Sequence, residues 1–258
     1  MKKITIVGGS GFIGHNLAIK LHSLGYIVSI IDNLEINNLG ALEKEKNYVP
    51  FPDLSKKILK ERIELLSFKN ILIHRVDASN HGQMKIILDK LKPHTIIHLA
   101  AVSHANKSNK NPKRTFDNSL VSLFNSLDYA KNTVEHFIFA SSSMVYGNFK
   151  SETVDETTNC EPIGVYGALK YAAEKMIISF NQVFNLPYTI IRPSALYGER
   201  CISRRVGQIF IESALNKQKI IINGNGKEKL DFTYIEDLIQ GFVKIIETPK
   251  SKNEIFNI

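Results

Sequence analysis

The sequence is poor in cysteine and has no long apolar run. Its two cysteines, Cys160 and Cys201, match no metal-ligand spacing, so no metal site is expected. Thiols this sparse favour a reducing setting, and we expect a cytoplasmic protein. No apolar stretch approaches the roughly 20 residues that span a bilayer. The start, MKK before a short apolar segment, lacks the apolar core of a signal peptide. These absences predict a protein without a membrane partner.

Charge of one sign is also not concentrated anywhere along the chain. Lysine and arginine total 33 against 25 acidic residues, a net charge of +8. The basic residues are scattered, and they form neither a block nor an aromatic-interleaved stripe of the kind that binds nucleic acid. We therefore interpret the excess as a solvated basic surface and expect no nucleic-acid partner. The length of 258 residues is sufficient for one well-buried core.

Short apolar runs recur along the chain, with helical patterns between them. Six runs are predicted as strands: KITIV, YIVSIID, NILIHRVD, HTIIHLAA, HFIFASSS and YTIIRPS. They are continuous rather than alternating, which is typical of strands covered on both faces. Helical spacing of apolar residues marks residues 12–24, 84–91 and 116–131. Repeated strand–helix units predict an α/β fold with a parallel sheet and right-handed crossovers.

Two segments interrupt this alternation. Residues 33–70 form a long insertion with an amphipathic helical pattern, SKKILKERIELL. The alternation also ends near residue 194, so we predict a sheet domain over residues 1–193 and a smaller lobe over residues 194–258. This lobe is expected to cover the carboxyl ends of the strands, the edge at which open α/β sheets bind ligands. The final NEIFNI is predicted as a strand, and the pattern leaves open whether the lobe is minimal or shortened.

A glycine turn separates the first predicted strand from the first helix. Gly8, Gly11 and Gly14 in GGSGFIG allow a close backbone approach to a pyrophosphate, beside the positive end of a helix dipole. The second strand ends at Asp32, whose carboxylate suits the ribose hydroxyls of adenosine and repels a 2′-phosphate. Alone, such glycines often serve packing, and an acidic residue often ends a turn. Together they predict NAD binding rather than NADP binding.

A second group of chemistry-bearing residues lies further along the chain. Tyr166 and Lys170, in VYGALKYAAEK, share one face of a helical pattern. An ammonium beside a phenol, with a cationic nicotinamide nearby, lowers the phenol pKa toward that of a useful general base. The segment FIFASSSMVYG adds serines at the carboxyl end of a strand, where a hydroxyl is placed to hydrogen-bond a reacting oxygen. Each pattern is common alone, but their order behind the glycine turn indicates one catalytic site.

With these motifs the chain resembles the extended short-chain dehydrogenases/reductases of the NAD-dependent epimerase/dehydratase family, which act on nucleotide sugars. Its motif pattern is most like that of nucleotide-sugar epimerases of the UDP-glucose 4-epimerase kind. The resemblance is carried by GGSGFIG, DNL, VDA, HLAAVSHANKS, SSSMVYG, YGALK, RPSALYGER and LDFTYIEDL. It implies a Rossmann-type doubly wound parallel sheet with a small C-terminal substrate-binding lobe. It also implies NAD as the cofactor and a homodimer formed through a four-helix bundle.

The same resemblance implies site residues. Tyr166 would take the proton from a sugar hydroxyl, Ser142 would stabilise the oxygen, and Lys170 would hold the ribose and lower the pKa of Tyr166. The expected cofactor contacts are Gly8, Gly11, Phe12, Ile13, Gly14, Asp32, Asn33, Asp77, Ala78, Leu99, Ala100, Ala101, Ser103, Asn118, Ala140, Tyr166, Lys170 and Pro193. The expected substrate contacts are Ser103, Ser142, Ser143, Met144, Arg200, Arg204 and Arg205.

The positions after the catalytic hydroxyl separate the branches of the family. Dehydratases usually carry acidic residues there, because they must move a second proton. This chain has Ser143 and Met144, and methionine neither gives nor takes a proton. The sequence therefore favours a nucleotide-sugar 4-epimerase that oxidises the sugar transiently to a 4-keto form and then returns the hydride. A dehydratase or reductase of the same family and a non-catalytic NAD-binding protein are the alternatives.

Two departures from the family pattern leave the substrate open. Relatives commonly carry an asparagine where this chain has Ala195, and an arginine where it has Leu230. Both family residues would contact the nucleotide diphosphate. The segment GERCISRRVGQ supplies Arg200, Arg204 and Arg205 nearby, and we hypothesise that one or more of them binds the diphosphate instead. The alternative is a set of solvated residues that leads into a helix.

Overall fold

A computed structural model describes residues 2–36, 38–45, 49–102, 105–202, 205–222, 224–227 and 229–258, with the backbone alone for residues 45 and 105–107. Its strands are β1 (Lys3–Val7), β2 (Ile27–Ile31), β3 (Leu72–His74), β4 (Thr95–His98), β5 (His136–Ala140), β6 (Tyr188–Arg192), β7 (Ala195–Tyr197), β8 (Phe232–Tyr234) and β9 (Glu254–Asn257). Its helices are α1 (Phe12–Ser23), α2 (Leu39–Glu45), α3 (Pro52–Phe68), α4 (His81–Leu91), α5 (Ala105–Lys110), α6 (Pro112–Phe116), α7 (Ser122–Ala130), α8 (Gly164–Phe184), α9 (Val206–Leu215) and α10 (Ile235–Glu247). No helix among the described residues is long and apolar enough to cross a membrane.

Seven of the strands form one parallel sheet, in the order β3-β2-β1-β4-β5-β6-β9. Helices cover both of its faces. On one face, Leu21 of α1 and Phe242 of α10 belong to the same buried cluster. On the other face, Leu88 of α4, Leu127 of α7 and Ile177 of α8 belong to a second cluster. Burial on both sides explains the continuous apolar strands. The structure confirms the predicted Rossmann-type doubly wound α/β fold.

Two glycines allow the close packing where β1 turns into α1. Gly8 has φ of +81°, and a Cβ there would lie 2.6 Å from the backbone nitrogen of Ala100, which follows β4. A Cβ on Gly14 would lie 2.5 Å from the Cα of Gly9. The chain therefore needs glycine at both positions, at the point where the strand order reverses and open α/β sheets bind ligands.

The helix predicted over residues 116–131 is interrupted in the structure. A π-helical turn, Asp117–Val121, separates α6 from α7. Such turns insert one extra residue into a helix and frequently occur at functional sites. Asn118, one of the predicted cofactor contacts, lies in this turn.

The C-terminal segment divides between two parts of the fold. Phe232–Tyr234 pairs with Ala195–Tyr197 as a small separate sheet. However, α10 packs in the main core, and β9 pairs with β6 through Ile190 and Ile255. The sequence analysis assigned all of residues 194–258 to a smaller lobe. In the structure, α10 and the predicted C-terminal strand belong to the layers of the large sheet, because their apolar side chains complete its core.

Replacement of Gly14 by alanine is expected to lower the free energy of unfolding by about 1–3 kcal/mol, because the new methyl group meets backbone that cannot rotate away. Urea denaturation measures the effect. The matched control is Gly207→Ala in α9, where a Cβ meets nothing within 4 Å. There we expect no loss, or a gain of up to about 1 kcal/mol. Equal losses in the two variants would contradict the packing argument.

Candidate active site

The carboxyl ends of the central strands open into one cavity of about 600 Å³. It is lined by the following residues that sequence reasoning assigned to the cofactor: Gly8, Gly11, Phe12, Ile13, Gly14, Asp32, Asn33, Asp77, Ala78, Leu99, Ala100, Ala101, Asn118, Ala140, Tyr166, Lys170 and Pro193. Ser103, assigned to both cofactor and substrate, lies outside the described residues. The structure thus brings together segments that are up to 185 positions apart in sequence, between Gly8 and Pro193.

The residues assigned to the substrate divide between the cavity and the surface. Ser142 and Arg205 line the cavity. Ser143 and Met144 do not, and the side chain of Met144 is exposed. Arg204 lies outside the described residues.

Arg200 is held away from the cavity by α1. Its Nε donates a hydrogen bond to His15 Nε2 at 3.0 Å, and its Nη2 donates to Asn16 Oδ1 at 3.1 Å. Because the guanidinium is bound to α1, Arg200 does not line the cavity, although it was expected to contact the substrate. It instead links the C-terminal segment to the first helix.

One part of the cavity is lined by the carboxylate of Asp32. Asp32 follows β2, and its Oδ2 accepts a hydrogen bond from Ser10 N at 2.9 Å. Its Oδ1 accepts from Leu34 N at 2.8 Å. Burial raises the pKa of Asp32, whereas these backbone N–H groups act in the opposite direction. The two bonds fix the direction of the carboxylate and leave its remaining lone pairs for the hydroxyls of a ligand.

The amino-terminal end of α1 also lines the cavity and has the features of an anion-binding site. The first turn of α1 contains no acidic side chain, and Gly11 at its start carries no side-chain cap. A Cβ on Gly11 would meet only Gly8 O, at 3.5 Å, so the space in front of this turn is open. Unpaired N–H groups and the positive end of the helix dipole face that space. These features fit the pyrophosphate of a dinucleotide.

The other end of the cavity holds the hydroxyl groups of Ser142 and Tyr166. Both side chains are buried. Burial raises the pKa of Tyr166, whereas a hydrogen bond with the Ser142 side chain and the positive charge of Arg205 lower it. Lys170, which was expected to lower this pKa, instead donates from Nζ to Ala140 O at 2.6 Å. Burial lowers the pKa of Lys170 to about 8, against the opposing charge of Glu174.

Sequence reasoning missed a buried ion pair beneath these groups. Glu174 accepts hydrogen bonds from Arg192 Nε at 3.0 Å and from Arg192 Nη2 at 2.7 Å. The hydroxyl of Ser141, next to Ser142, also donates to this carboxylate. A signal for it was present, because Glu174 continues the four-residue spacing of Tyr166 and Lys170 along α8.

Comparison with known proteins assigns this arrangement to a family. Residues 4–258 match the model of the NAD dependent epimerase/dehydratase family. The chain belongs to this family, whose members are enzymes.

Relatives and solved structures carry more specific names. A putative UDP-glucose 4-epimerase of Methanocaldococcus jannaschii is 31% identical over 260 residues, which cover 99% of this chain and 76% of that protein. A dTDP-D-glucose 4,6-dehydratase of Dictyostelium discoideum is 30% identical, over 100% of this chain and 57% of its own length. The UDP-glucuronic acid 4-epimerase of Bacillus cereus, solved with UDP-glucuronic acid and NAD, superposes with a TM-score of 0.85 at 28% identity, over 99% of this chain and 77% of that one.

The cofactor of this protein is NAD, as in its family. The residues present fit it, since the open space before Gly11 accepts a pyrophosphate and Asp32 is oriented toward a ribose. When bound, NAD supplies the capacity to accept a hydride and to return it.

Replacement of Lys170 by methionine is expected to stabilise the fold at pH 7 by about 1–3 kcal/mol, because it removes a desolvated ammonium and loses one hydrogen bond. The folded-state pKa of about 8 lies below that of an unfolded lysine. Between about pH 8 and ~10.4 the unfolded chain therefore holds a proton that the folded chain has released, and wild-type stability rises with pH. The advantage of the variant should shrink across this window.

Thermal unfolding at several pH values measures this difference. Lys175→Met, at an exposed position of the same helix, is the matched control and is expected to show no such pH dependence. A destabilised Lys170→Met variant, or an advantage that stays constant up to about pH 10, would contradict the assigned cost of burial.

Proposed function

We propose that the protein is an NAD-dependent nucleotide-sugar 4-epimerase. The observation that carries the proposal is the chemistry at the reacting end of the cavity. There Ser142 and Tyr166 both line the cavity, and the Ser142 side chain acts to lower the pKa of Tyr166 against the effect of burial. Among the described lining residues the carboxylates are Asp32 and Asp77, which follow β2 and β3 rather than β5. Epimerisation at C4 needs proton transfer at one oxygen only. Dehydration also needs an acid or base at neighbouring carbons.

The proposed mechanism uses three side chains. Tyr166 removes the proton from the C4 hydroxyl as that carbon is oxidised, and Ser142 donates a hydrogen bond to the same oxygen. After the 4-keto sugar turns its other face to the cofactor, Tyr166 returns the proton to that oxygen. Lys170 uses one of its three N–H donors on Ala140 O, and two remain for the hydroxyls of the nicotinamide ribose. No net oxidation results, so one bound cofactor serves many turnovers.

The anionic part of the substrate is assigned to Arg205. Of the three arginines considered from the sequence, Arg205 has a described side chain that lines the cavity and whose charge acts on Tyr166. A guanidinium binds diphosphate or carboxylate oxygens in pairs, and this would compensate for the missing family arginine at Leu230.

Dehydration of a nucleotide sugar is the second candidate, because a 4,6-dehydratase stands among the relatives at 30% identity. Ser143 and Met144 argue against it, since they occupy the positions where a dehydratase of this family carries its acid and base. The two reactions differ in mass, because dehydration removes one water from the sugar and epimerisation leaves the mass unchanged.

The test is incubation of the purified protein with UDP-glucose, UDP-glucuronic acid and UDP-N-acetylglucosamine. We expect a C4 epimer of at least one of them without loss of water. Tyr166→Phe should lower the rate by about 10²–10⁴-fold, because it removes the general base. Tyr171→Phe makes the same change five residues further along α8, outside the cavity, and should retain wild-type activity.

Other products would overturn this assignment. Water loss by mass spectrometry would establish the dehydratase, and a requirement for added NADH would establish a reductase. Absence of turnover with every sugar, together with NAD binding that Tyr166→Phe leaves unchanged, would establish a non-catalytic NAD-binding protein.

We also infer a homodimer located in the cytoplasm. Phe124 of α7 and Phe184 of α8 are exposed and join Phe180 in an aromatic cluster on the outer helical layer, with ring centroids 6.4 and 5.3 Å apart. Exposed aromatic clusters of this kind suit contact with a second copy. The structure joins neither Cys160 nor Cys201 in a disulfide, in keeping with a reducing compartment.

Replacement of Phe184 by glutamate is expected to shift the protein from dimer to monomer, because it would place a charge inside an apolar interface. Sedimentation velocity measures the shift from dimer to monomer. Phe68→Glu is the control, since Phe68 at the end of α3 is 80% exposed and lies outside this helical layer. A wild-type protein that sediments as a monomer would contradict the inferred assembly.

A further inference from the structure

A buried arginine of the insertion has no role in the site described above. Arg62 lies on α3, and its side chain is 1% exposed to solvent. The same side chain lines the cavity that the glycine turn and Asp32 also line. It was not among the residues that the sequence analysis selected, because its helix reads as an ordinary amphipathic pattern.

No carboxylate among the described residues forms an ion pair with Arg62. Its Nε donates to the backbone oxygen of Arg200 at 3.1 Å, and its Nη2 donates to the same oxygen. A guanidinium has five N–H donors, so both protons of Nη1 and one of Nη2 have no acceptor among the described residues. Burial lowers the pKa of Arg62 to about 10, which leaves the group positively charged at neutral pH. A buried, uncompensated cation is costly, and an anionic ligand removes that cost.

The position of Arg62 identifies which anion it faces. His15 lies in the first turns of α1. Burial lowers its pKa to about 3, and the positive charges of Arg62 and Arg200 act in the same direction. His15 Nδ1 lies 2.8 Å from Gly11 O, so this neutral ring is placed against the start of α1. Arg62 and the glycine turn both line the cavity, and Arg200 and His15 connect the surroundings of Arg62 to the start of α1.

We propose that Arg62 binds the pyrophosphate of NAD, as a second anion-binding group opposite the amino-terminal end of α1. The helix end supplies backbone N–H groups and a dipole, and Arg62 supplies a full charge with donors for a phosphate oxygen. Arg200 positions it, since the backbone oxygen of Arg200 holds the guanidinium while its side chain is bound to α1 through Asn16. The inference concerns the cofactor and is independent of which sugar the enzyme turns over.

The test compares ligands with and without phosphates on protein freed of bound nucleotide. Calorimetry gives the affinities for NAD, ADP and adenosine. For Arg62→Gln we expect ADP and NAD to bind about 10–100-fold more weakly, because a charge-assisted hydrogen bond is lost. Adenosine should change by less than about twofold, because its ribose is held by Asp32 and not by Arg62. Lys60→Gln, which removes a positive charge from an exposed position of the same helix, should leave all three affinities unchanged.

Thermal unfolding supplies a second readout that needs no catalysis. NAD should raise the Tm of the wild type and of Lys60→Gln by a similar amount, and that of Arg62→Gln by much less, because stabilisation by a ligand follows its affinity. If Arg62→Gln does not fold, Arg62→Lys serves instead. It keeps the charge but loses the planar pair of donors, and it should reduce the ratio of ADP to adenosine affinity several-fold.

Three results would overturn the proposal. Equal losses of ADP and adenosine affinity would mean that Arg62 only supports the local structure. Unchanged ADP and NAD affinities in a folded Arg62→Gln variant, or in Arg62→Lys where that is the variant used, would mean that it does not contact the pyrophosphate. A loss of sugar-nucleotide affinity with NAD binding intact would move Arg62 to the substrate side.

Discussion

The active-site geometry depends on one buried ion pair, between Glu174 and Arg192. Their side chains are 1% and 3% exposed, and the two are joined by two hydrogen bonds. The carboxylate comes from α8, the guanidinium from the end of β6, and a third partner, Ser141, from the residue after β5. The pair therefore fixes α8 against two strand ends. Tyr166 and Lys170 lie on the same face of that helix, so their positions follow from this contact.

The ion pair also connects α8, which carries Tyr166 and Lys170, to the C-terminal strand. Arg192 Nη1 donates to Tyr146 OH at 2.7 Å, and Tyr146 OH donates to Asn257 Oδ1 at 2.8 Å. Asn257 ends β9, the outermost strand beside β6. Loss of either charge would leave the other buried without a partner, which costs about 3–5 kcal/mol. A chain of hydrogen bonds of this kind is more rigid than its separate contacts, because Glu174, Arg192 and Tyr146 are each oriented by two partners.

Local signals in the sequence were sufficient for the strands of the main sheet and for the glycine turn with Asp32, whereas most of the other residues that line the cavity were expected from the family resemblance. Strand periodicity, the spacing of Gly8, Gly11 and Gly14, and the acidic end of β2 are all read within short windows, and the chain order of strand and helix units fixes the topology. Contacts between distant segments were not readable. Arg62 and Arg200 are 138 positions apart. Glu174 continues the spacing of Tyr166 and Lys170, but no local pattern identifies Arg192 as its buried partner.

Arg200 shows why residue type alone misassigned part of the site. Its position in an arginine-rich segment predicted that it would bind a phosphate, but its side chain is hydrogen-bonded to His15 and Asn16 of α1. The residue instead acts through its backbone oxygen, which no side-chain motif encodes. Two arginines that are close in sequence thus have different positions in the structure. Arg200 links two segments of the chain, and Arg205 lines the cavity.

The charged groups of this cavity also lower the stability of the folded chain. Lys170, Asp32 and Arg62 are desolvated, and burial opposes the charged form of each of them. A ligand that offers ribose hydroxyls to the carboxylate and phosphate oxygens to the cation satisfies these groups without a change in the fold. Binding free energy then adds to folding free energy, as for any ligand that binds only the native state. The buried charged residues that lower the free energy of unfolding of the protein alone are therefore the ones through which a bound cofactor raises it.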